Sequence, residues 1–182
     1  MPDGEDLLRA LTVIRDRGAI GTTELPDAIA HADRFVAVLP DRPHRLADLG
    51  SGGGLPGLVI AVRRPDIDVT LIERRGNRAD LLRRAVASLR LGTQVTVLAA
   101  DVEEVARRSG AVFDVVTARS FGGPDTTLHA IARLLAAGGQ ALISEPPQAR
   151  SEQWQLALSR HRGFVDQGVD QGIRRLTRVS LN

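Results

Sequence analysis

Apolar and polar positions follow two periods along this chain, and together they predict a regular series of helices and strands. Near the start, Leu7, Leu11 and Ile14 recur at helical spacing, which predicts a helix over residues 5–16. The same period predicts six further helices, at 26–39, 56–64, 78–91, 101–108, 125–137 and 151–160. Short runs rich in Val, Ile and Leu predict strands at 45–49, 68–72, 94–99, 113–118 and 140–144, and two weaker ones at 164–167 and 175–181.

The order of these elements predicts the fold class. From residue 45 onward, strands and helices alternate at short spacing, as in a parallel sheet built from βαβ units. We therefore expect an α/β, Rossmann-like fold with a mostly parallel sheet of about seven strands, helices on both faces and short N-terminal helices. Residues 1–182 are expected to form a single domain, with a helical lead at 1–44, a ligand-binding core at 45–145, and a C-terminal helix and strand pair at 146–182.

Composition narrows the function classes. The 182 residues suffice for one α/β domain, and no Cys is present, which excludes disulfides and thiolate metal sites. All 24 basic residues are Arg, yet the formal net charge is only +2, so overall charge does not predict nucleic-acid binding. The acidic start and the lack of an apolar run of about 18 residues give no sign of export or of a membrane span. We expect a cytoplasmic monomer without a metal.

A glycine-rich segment after the first predicted strand is the most informative motif. Asp48 closes that strand, and Gly50, Gly52 and Gly54 follow, with Ser51 among them. Glycines at this spacing let the backbone turn sharply and approach a nucleoside-bearing cofactor. A dinucleotide fingerprint would need its third glycine where Leu55 stands. Pro56 is expected as the first residue of the following helix.

Ligands of open parallel sheets bind beyond the carboxyl ends of the strands, so the residues that follow each strand are candidates. Glu73 follows the second predicted strand, about 20 residues beyond the glycines, as expected of an acid that binds ribose hydroxyls. Its neighbour Arg74 is included in the predicted site. After the third strand, Asp101, Val102 and Glu103 are positioned to contact an adenine edge, although Asp101 would also serve as a helix cap.

Three motifs resemble a known family. The glycine segment is similar to motif I of class I S-adenosylmethionine methyltransferases. Together with Gly-Leu-Pro-Gly at 54–57, the run at 113–120 and the run at 11–16, it resembles the RsmG (GidB) family over residues 11–182. The resemblance implies S-adenosyl-L-methionine as cofactor and methyl transfer to the N7 of a guanine in small-subunit ribosomal RNA. It also implies ribosomal RNA or the small ribosomal subunit as partner. By position, the family's cofactor contacts fall on Gly50, Leu55, the backbone of 102–103 and Arg119.

Methyl transfer to a guanine N7 needs alignment rather than a general base, because that nitrogen has a free lone pair. We predict that Arg119, after the fourth strand, is the catalytic residue that bridges cofactor and acceptor, through the methionine carboxylate or a substrate phosphate. The alternative is a salt bridge from Arg119 to Asp114 or Asp125. The four histidines are scattered, and we expect each to be a surface or structural residue: His31, His44, His129 and His161.

Other interpretations remain open. Asn77 replaces a basic residue of the family, and Ser144-Glu145-Pro146-Pro147 stands where the family has Lys-Gly. These departures leave room for a small-molecule methyltransferase or a non-catalytic cofactor-binding homologue, with a nicotinamide enzyme as a more distant alternative. For Glu73, the alternative to ribose binding is an exposed carboxylate paired with Arg74, Arg75 or Arg78. Paired arginines either contact RNA phosphate or form solvated surface: 63–64, 74–75, 83–84, 107–108 and 174–175.

Overall fold

A computed structural model of the chain describes residues 2–144 and 151–180. Glu145, Pro146 and Pro147 of the segment after the fifth strand lie outside the described residues. Seven helices occur within that part of the chain: α1 Gly4–Asp16, α2 Leu25–Ala37, α3 Gly57–Arg63, α4 Gly76–Ser88, α5 Val102–Ser109, α6 Pro124–Leu134 and α7 Ser151–Arg160. The strands are β1 Arg45–Leu49, β2 Asp68–Ile72, β3 Val95–Leu98, β4 Phe113–Ala118, β5 Leu135–Ser144, β6 Phe164–Asp170 and β7 Ile173–Arg178.

The strands form one sheet in the order β3-β2-β1-β4-β5-β7-β6. The first five strands in this order pair in parallel. Strand β7 is antiparallel to both β5 and β6. The predicted seven-stranded, mostly parallel sheet is thus confirmed. The strand order reverses between β1 and β4, so their carboxyl ends form the crevice where such sheets bind ligands.

Helices cover both faces of the sheet, as predicted. Leu46 belongs to a buried cluster with α1 to α4, whereas Ala47, the next residue of β1, belongs to a second cluster with α5 to α7. Successive side chains of a strand point to opposite faces, so each face needs its own layer of helices. Both layers hold the central strands rigidly under the crevice.

The predicted end of α6 is wrong. The sequence predicts a helix over 125–137, but β5 already begins at Leu135. The pairing of β4 with β5 shifts register between Phe113 and Val115, so extra residues of β5 bulge out. Gly139 sits in this bulge, where a β-carbon would approach a backbone oxygen of β4 to 2.9 Å. Gly138 and Gly139 directly follow the predicted helix end, but in the structure they permit a bulge inside a strand rather than ending a helix.

Smaller differences concern other element ends. Helix α3 begins at Gly57, and Pro56 is its N-cap rather than its first helical residue. Helix α4 begins at Gly76, two residues before the predicted start at 78. Strand β6 extends to Asp170. The predicted strand at 175–181 is β7, which runs from Ile173 to Arg178, and its residue 181 lies outside the described part.

The N-terminal helix shows why these segments are helical. Asp3 Oδ1 accepts the backbone N–H groups of Glu5 and Asp6, which satisfies two donors that a helix start leaves free. Leu7 and Leu11 are fully buried on one side of α1. Across residues 2–144 and 151–180, we find no helix with the length and apolarity needed to cross a bilayer.

Candidate cofactor-binding site

A cavity of about 500 Å³ opens at the carboxyl ends of the central strands. Its volume lies within the range of small-molecule and cofactor pockets. The lining comes from the glycine loop, the ends of β2 and β3, the turn after β4 and one side of α6: Gly50, Ile72, Glu73, Arg74, Arg75, Arg78, Ala100, Asp101, Val102, Glu103, Ser120, Phe121, Thr126, His129 and Ala130.

The glycine loop is held in a tight turn. Gly50, Gly52 and Gly54 have φ angles of +60°, +52° and +87°, a region that other residues rarely adopt. The Ser51 hydroxyl donates to the Asp48 carbonyl at 2.9 Å, and the Ser51 N–H donates to a carbonyl at the end of β2 at 3.0 Å. Of these residues, Gly50 lines the cavity, and the others shape the turn beneath it.

Glu73 is buried at the end of β2, with 5% of its surface exposed. Its Oε2 accepts the backbone N–H of Gly52 at 3.0 Å, and its Oε1 accepts the backbone N–H of Arg75 at 2.8 Å. The alternative of an exposed carboxylate paired with neighbouring arginine side chains is therefore wrong. The two hydrogen bonds fix the carboxylate at the cavity wall and couple it to the glycine loop.

The turn at 101–103 has two functions in the structure. Asp101 Oδ1 accepts the N–H of Glu104 at 2.8 Å, so the helix-cap role is confirmed. All three residues of the turn also line the cavity. The Glu103 carboxylate faces His129 and Arg133 of α6, each at 3.3 Å. The side chains of this turn are thus already engaged, and the start of α5 presents backbone N–H groups.

Asp48 lies beneath the glycine loop and is 1% exposed. Its Oδ1 accepts a hydrogen bond from the Thr117 hydroxyl at 2.7 Å. Its Oδ2 is buried and has no hydrogen-bond partner within the described residues. Burial raises the pKa of Asp48 to about 6, although the Thr117 hydroxyl and the positive charge of Arg119 favour the ionised form.

This raised pKa predicts a pH-dependent stability. In the unfolded chain Asp48 releases its proton near pH 3.8, whereas the folded protein keeps it to about pH 6. Stability from this group is therefore complete below pH 3.8 and is lost as the pH rises through 6, by about 3 kcal/mol in total. We expect Asp48→Asn to remove this component. Urea unfolding from about pH 4 to pH 7 should show the variant gaining on the wild type by most of this amount.

The exposed Asp68 offers a matched control for the loss of one carboxylate. With Asp68→Asn we expect no comparable gain across that pH range. A gap between Asp48→Asn and the wild type that stays constant with pH would contradict the assignment.

Arg119 follows β4 but does not line the cavity. The side chain is half-buried, and burial lowers its pKa while the carboxylate of Asp48 opposes that effect. Salt bridges to Asp114 or Asp125 are absent from the described contacts: Asp114 accepts the N–H groups of His44 and Arg45, and Asp125 faces Arg160. Arg119 thus places a positive charge near Asp48, outside the residues that line the cavity.

The structure adds residues that the sequence analysis missed. Phe121 and His129 both line the cavity. A β-carbon on Gly50 would lie 3.0 Å from the Phe121 ring, so the ring packs against the bare backbone of the loop. Phe121 follows Arg119 and Ser120, and its nearness to the end of β4 is the signal that would have found it. His129 lies within α6, where no local pattern marks it.

His31 fits the structural role expected of it. Its Nε2 lies 2.9 Å from the Ser144 hydroxyl at the end of β5. Burial lowers the pKa of His31, and the charges of Arg119 and Arg34 lower it further. Across the described ranges, no group of three or more potential metal-ligating side chains comes together.

The sheet order, with the antiparallel strand β7 between β5 and β6, and the glycine loop after β1 define the class I methyltransferase fold. A methyltransferase from Geobacter sulfurreducens shares this fold with a TM-score of 0.69 at 17% identity, over 98% of this chain and 93% of that one. The family described as GidB, rRNA small subunit methyltransferase G, matches residues 8–176. The chain belongs to this family.

Two curated relatives illustrate the similarity. The ribosomal RNA small subunit methyltransferase G of Leptothrix cholodnii is 38% identical over 141 residues, which cover 76% of this chain and 63% of that protein. The protein of the same description from Salinispora tropica is 37% identical over 157 residues, which cover 82% of this chain and 63% of its own length. The chain thus spans less than two thirds of the length of these relatives.

Proposed function

We propose that this protein is an S-adenosylmethionine-dependent methyltransferase that methylates the N7 of a guanine in small-subunit ribosomal RNA. The main support is the cavity, where the glycine loop, Glu73 and the start of α5 meet at the carboxyl end of the sheet. These are three contact surfaces that an adenosine moiety needs: a close backbone, a ribose acceptor and donors for a base edge. Membership of the GidB family supports the ribosomal RNA substrate.

The residues present fit the adenosine part of this cofactor. A carboxylate offers about four lone-pair positions, and the two backbone N–H groups on Glu73 use two of them. The remaining positions accept the two ribose hydroxyls. Asp101 takes the N–H of Glu104, which leaves the N–H groups of Val102 and Glu103 for the adenine edge. Arg74 borders the ribose beside Glu73.

The methionine part would extend from the cavity along the glycine loop, past Gly50, which lines the cavity. When bound, S-adenosylmethionine supplies an electrophilic methyl group on a positively charged sulfonium. Gly50, Ser51, Gly52, Gly54 and Leu55 form the loop that would border it. Asp48, buried beneath this loop, would place a negative charge near the cationic amino group. Arg119 holds the methionine carboxylate or a phosphate of the substrate, because its guanidinium is half-buried and offers bidentate donors.

Alignment supplies the catalysis in this proposal. The guanine N7 attacks with its own lone pair, so the protein needs to exclude water and hold the two reactants in line. Residues 1–182 would act as one domain, in the cytoplasm and as a monomer. A second candidate, a small-molecule methyltransferase, is favoured by the formal net charge of only +2.

The test uses methyl-labelled S-adenosylmethionine with small ribosomal subunits from cells that lack this modification. We expect label in ribosomal RNA at a guanine N7, together with S-adenosylhomocysteine binding by calorimetry. Binding of the cofactor without label in RNA would favour the small-molecule activity. Binding of NAD but not S-adenosylhomocysteine would overturn the cofactor.

We expect Arg119→Ala to keep the fold and to lose methyl transfer by tenfold or more. The substitution removes one charge-assisted bidentate contact, worth about 1.5–3 kcal/mol. Initial rates and thermal unfolding check the two parts of this prediction. Arg160→Ala, which removes an exposed arginine from a salt bridge on α7, is the control and should retain the rate. Unchanged activity in Arg119→Ala would remove Arg119 from the site.

A further inference from the structure

Three arginines line one side of the cavity where β2 gives way to α4. Arg74 and Arg75 are exposed, and Arg78 is partly buried. We call these three residues the arginine rim. Among residues 2–144 and 151–180, no carboxylate forms an ion pair with any of the three guanidinium groups.

These three arginines differ from several others on the helices, which form ion pairs within their own helix. Several exposed arginines pair with a carboxylate about one turn away: Arg9 with Asp6, Arg83 with Asp80 and Arg108 with Glu104. The carboxylates that share the cavity with the rim do not form such pairs with it. Each is already engaged by backbone N–H groups or by side chains of α6. The guanidinium groups of the rim therefore have no carboxylate within ion-pair distance in the described protein.

The surrounding backbone increases the positive potential. Arg75 occupies the N-cap position of α4, and the first turn of that helix contains no acidic residue. Helices α1, α2, α5 and α6 each carry at least one acidic residue in their first turn. A cation at the positive end of a helix is unfavourable unless an anion is bound nearby. The Glu73 carboxylate accepts the Arg75 N–H at this helix start, and a further anionic partner beside the exposed guanidinium groups is favoured by the same dipole.

The arginine rim extends from the glycine loop to the protein surface. Arg78 Nη1 lies 3.7 Å from the point where a β-carbon on Gly52 would stand, so this guanidinium reaches over the glycine loop. Arg74 and Arg75 continue outward into solvent. Positive charge therefore runs from the glycine loop to the molecular surface, where a polyanionic strand would approach the site.

We propose that the arginine rim binds backbone phosphates of the RNA strand that carries the acceptor guanosine. This inference rests on the proposed function and adds the path of the substrate strand. Arginine suits the role because its planar guanidinium contacts phosphate oxygens in pairs. The rim supplies charge beside the cavity, although the protein as a whole is almost neutral.

The test measures the salt dependence of RNA binding. Each phosphate contact to single-stranded RNA contributes about 0.7 to the slope of log K against log salt concentration. The probe is a labelled single-stranded RNA of about 16 nucleotides containing guanosine, titrated by fluorescence anisotropy at about 50–200 mM salt. The variant is Arg75→Gln/Arg78→Gln, which leaves Arg74 beside the proposed ribose site. We expect its slope to be shallower than that of the wild type by about 1.4.

The control is Arg84→Gln/Arg107→Gln, which removes the same charge from exposed arginines outside the cavity lining. Its slope should match the wild type. Affinity for S-adenosylhomocysteine is measured for each protein, so that an effect on the cofactor is separated from an effect on the RNA. Equal slopes in the two double variants would overturn the rim, as would a wild type that does not bind the RNA. Loss of S-adenosylhomocysteine binding with an unchanged slope would assign the rim to the cofactor instead. Labelling of ribosomal RNA alongside equal slopes would leave the proposed function intact and refute the rim alone.

Discussion

Replacing Glu73 with alanine is expected to weaken S-adenosylhomocysteine binding by roughly 30- to 150-fold, or about 2–3 kcal/mol. The substitution removes a charged acceptor that is proposed to receive both ribose hydroxyls. It also releases the backbone N–H of Gly52, which Glu73 holds at 3.0 Å. The loss should therefore exceed that of a single neutral hydrogen bond. Isothermal titration calorimetry measures it directly.

A ligand variant separates binding by Glu73 from its effect on the loop. The wild type should bind 2′-deoxy S-adenosylhomocysteine more weakly than the normal ligand, because Glu73 then lacks one donor. Glu73→Ala should hardly distinguish the two ligands. Glu104→Gln removes a carboxylate that pairs with Arg108 on α5, and it should retain both the affinity and the discrimination. If Glu73→Ala still discriminates as the wild type does, Glu73 does not bind the ribose.

Replacing Gly54 with alanine is expected to destabilise the fold by about 3 kcal/mol. The φ angle of Gly54 is +87°, which costs an alanine about 1–2 kcal/mol. Its β-carbon would also lie 2.4 Å from Leu58 Cδ1 and 3.1 Å from Leu82 Cδ2. Both leucines are fully buried, so neither has space to retreat. Overpacking of this kind costs about 1–3 kcal/mol.

The expected shift in melting temperature is about 6–12 °C downward for a chain of this size. Gly76→Ala is the matched control, because nothing lies within 4 Å of its β-carbon position and the residue begins α4. That substitution should leave stability unchanged or raise it slightly, by up to about 1 kcal/mol. Equal melting temperatures for Gly54→Ala and the wild type would show that the loop is not packed as tightly as its contacts indicate.

Glu73 and Gly54 show how the glycine loop and the carboxylate after β2 depend on each other. Gly52 donates to Glu73, Ser51 donates to the end of β2, and Gly54 packs against the helix that the loop opens. Substitutions at either end should therefore affect both stability and ligand affinity. A cofactor that binds the folded loop should in turn raise the melting temperature of the wild type.

The sequence alone was sufficient for the order of elements, the glycine turn and the acid after β2. These features are encoded locally, since glycine spacing determines where the backbone can turn and periodicity determines which faces are buried. The end of α6 was not predictable in this way. From the sequence alone, Gly138 and Gly139 are equally consistent with the end of a helix and with a bulge. The pairing of β5 with β4 decides for the bulge.

Only the tertiary structure decided how the site is assembled. Phe121 and His129 reach the cavity because the turn after β4 and the packing of α6 bring them there. Asp48 acquires a raised pKa because two layers of structure remove it from water, and Arg119 lies beside it rather than in the cavity. Burial and electrostatic environment arise from contacts between distant segments, so no local pattern reports them. The sequence thus determined where the glycine turn and its neighbouring carboxylate lie along the chain. The tertiary structure decided which side chains surround them and how burial shifts the pKa values there.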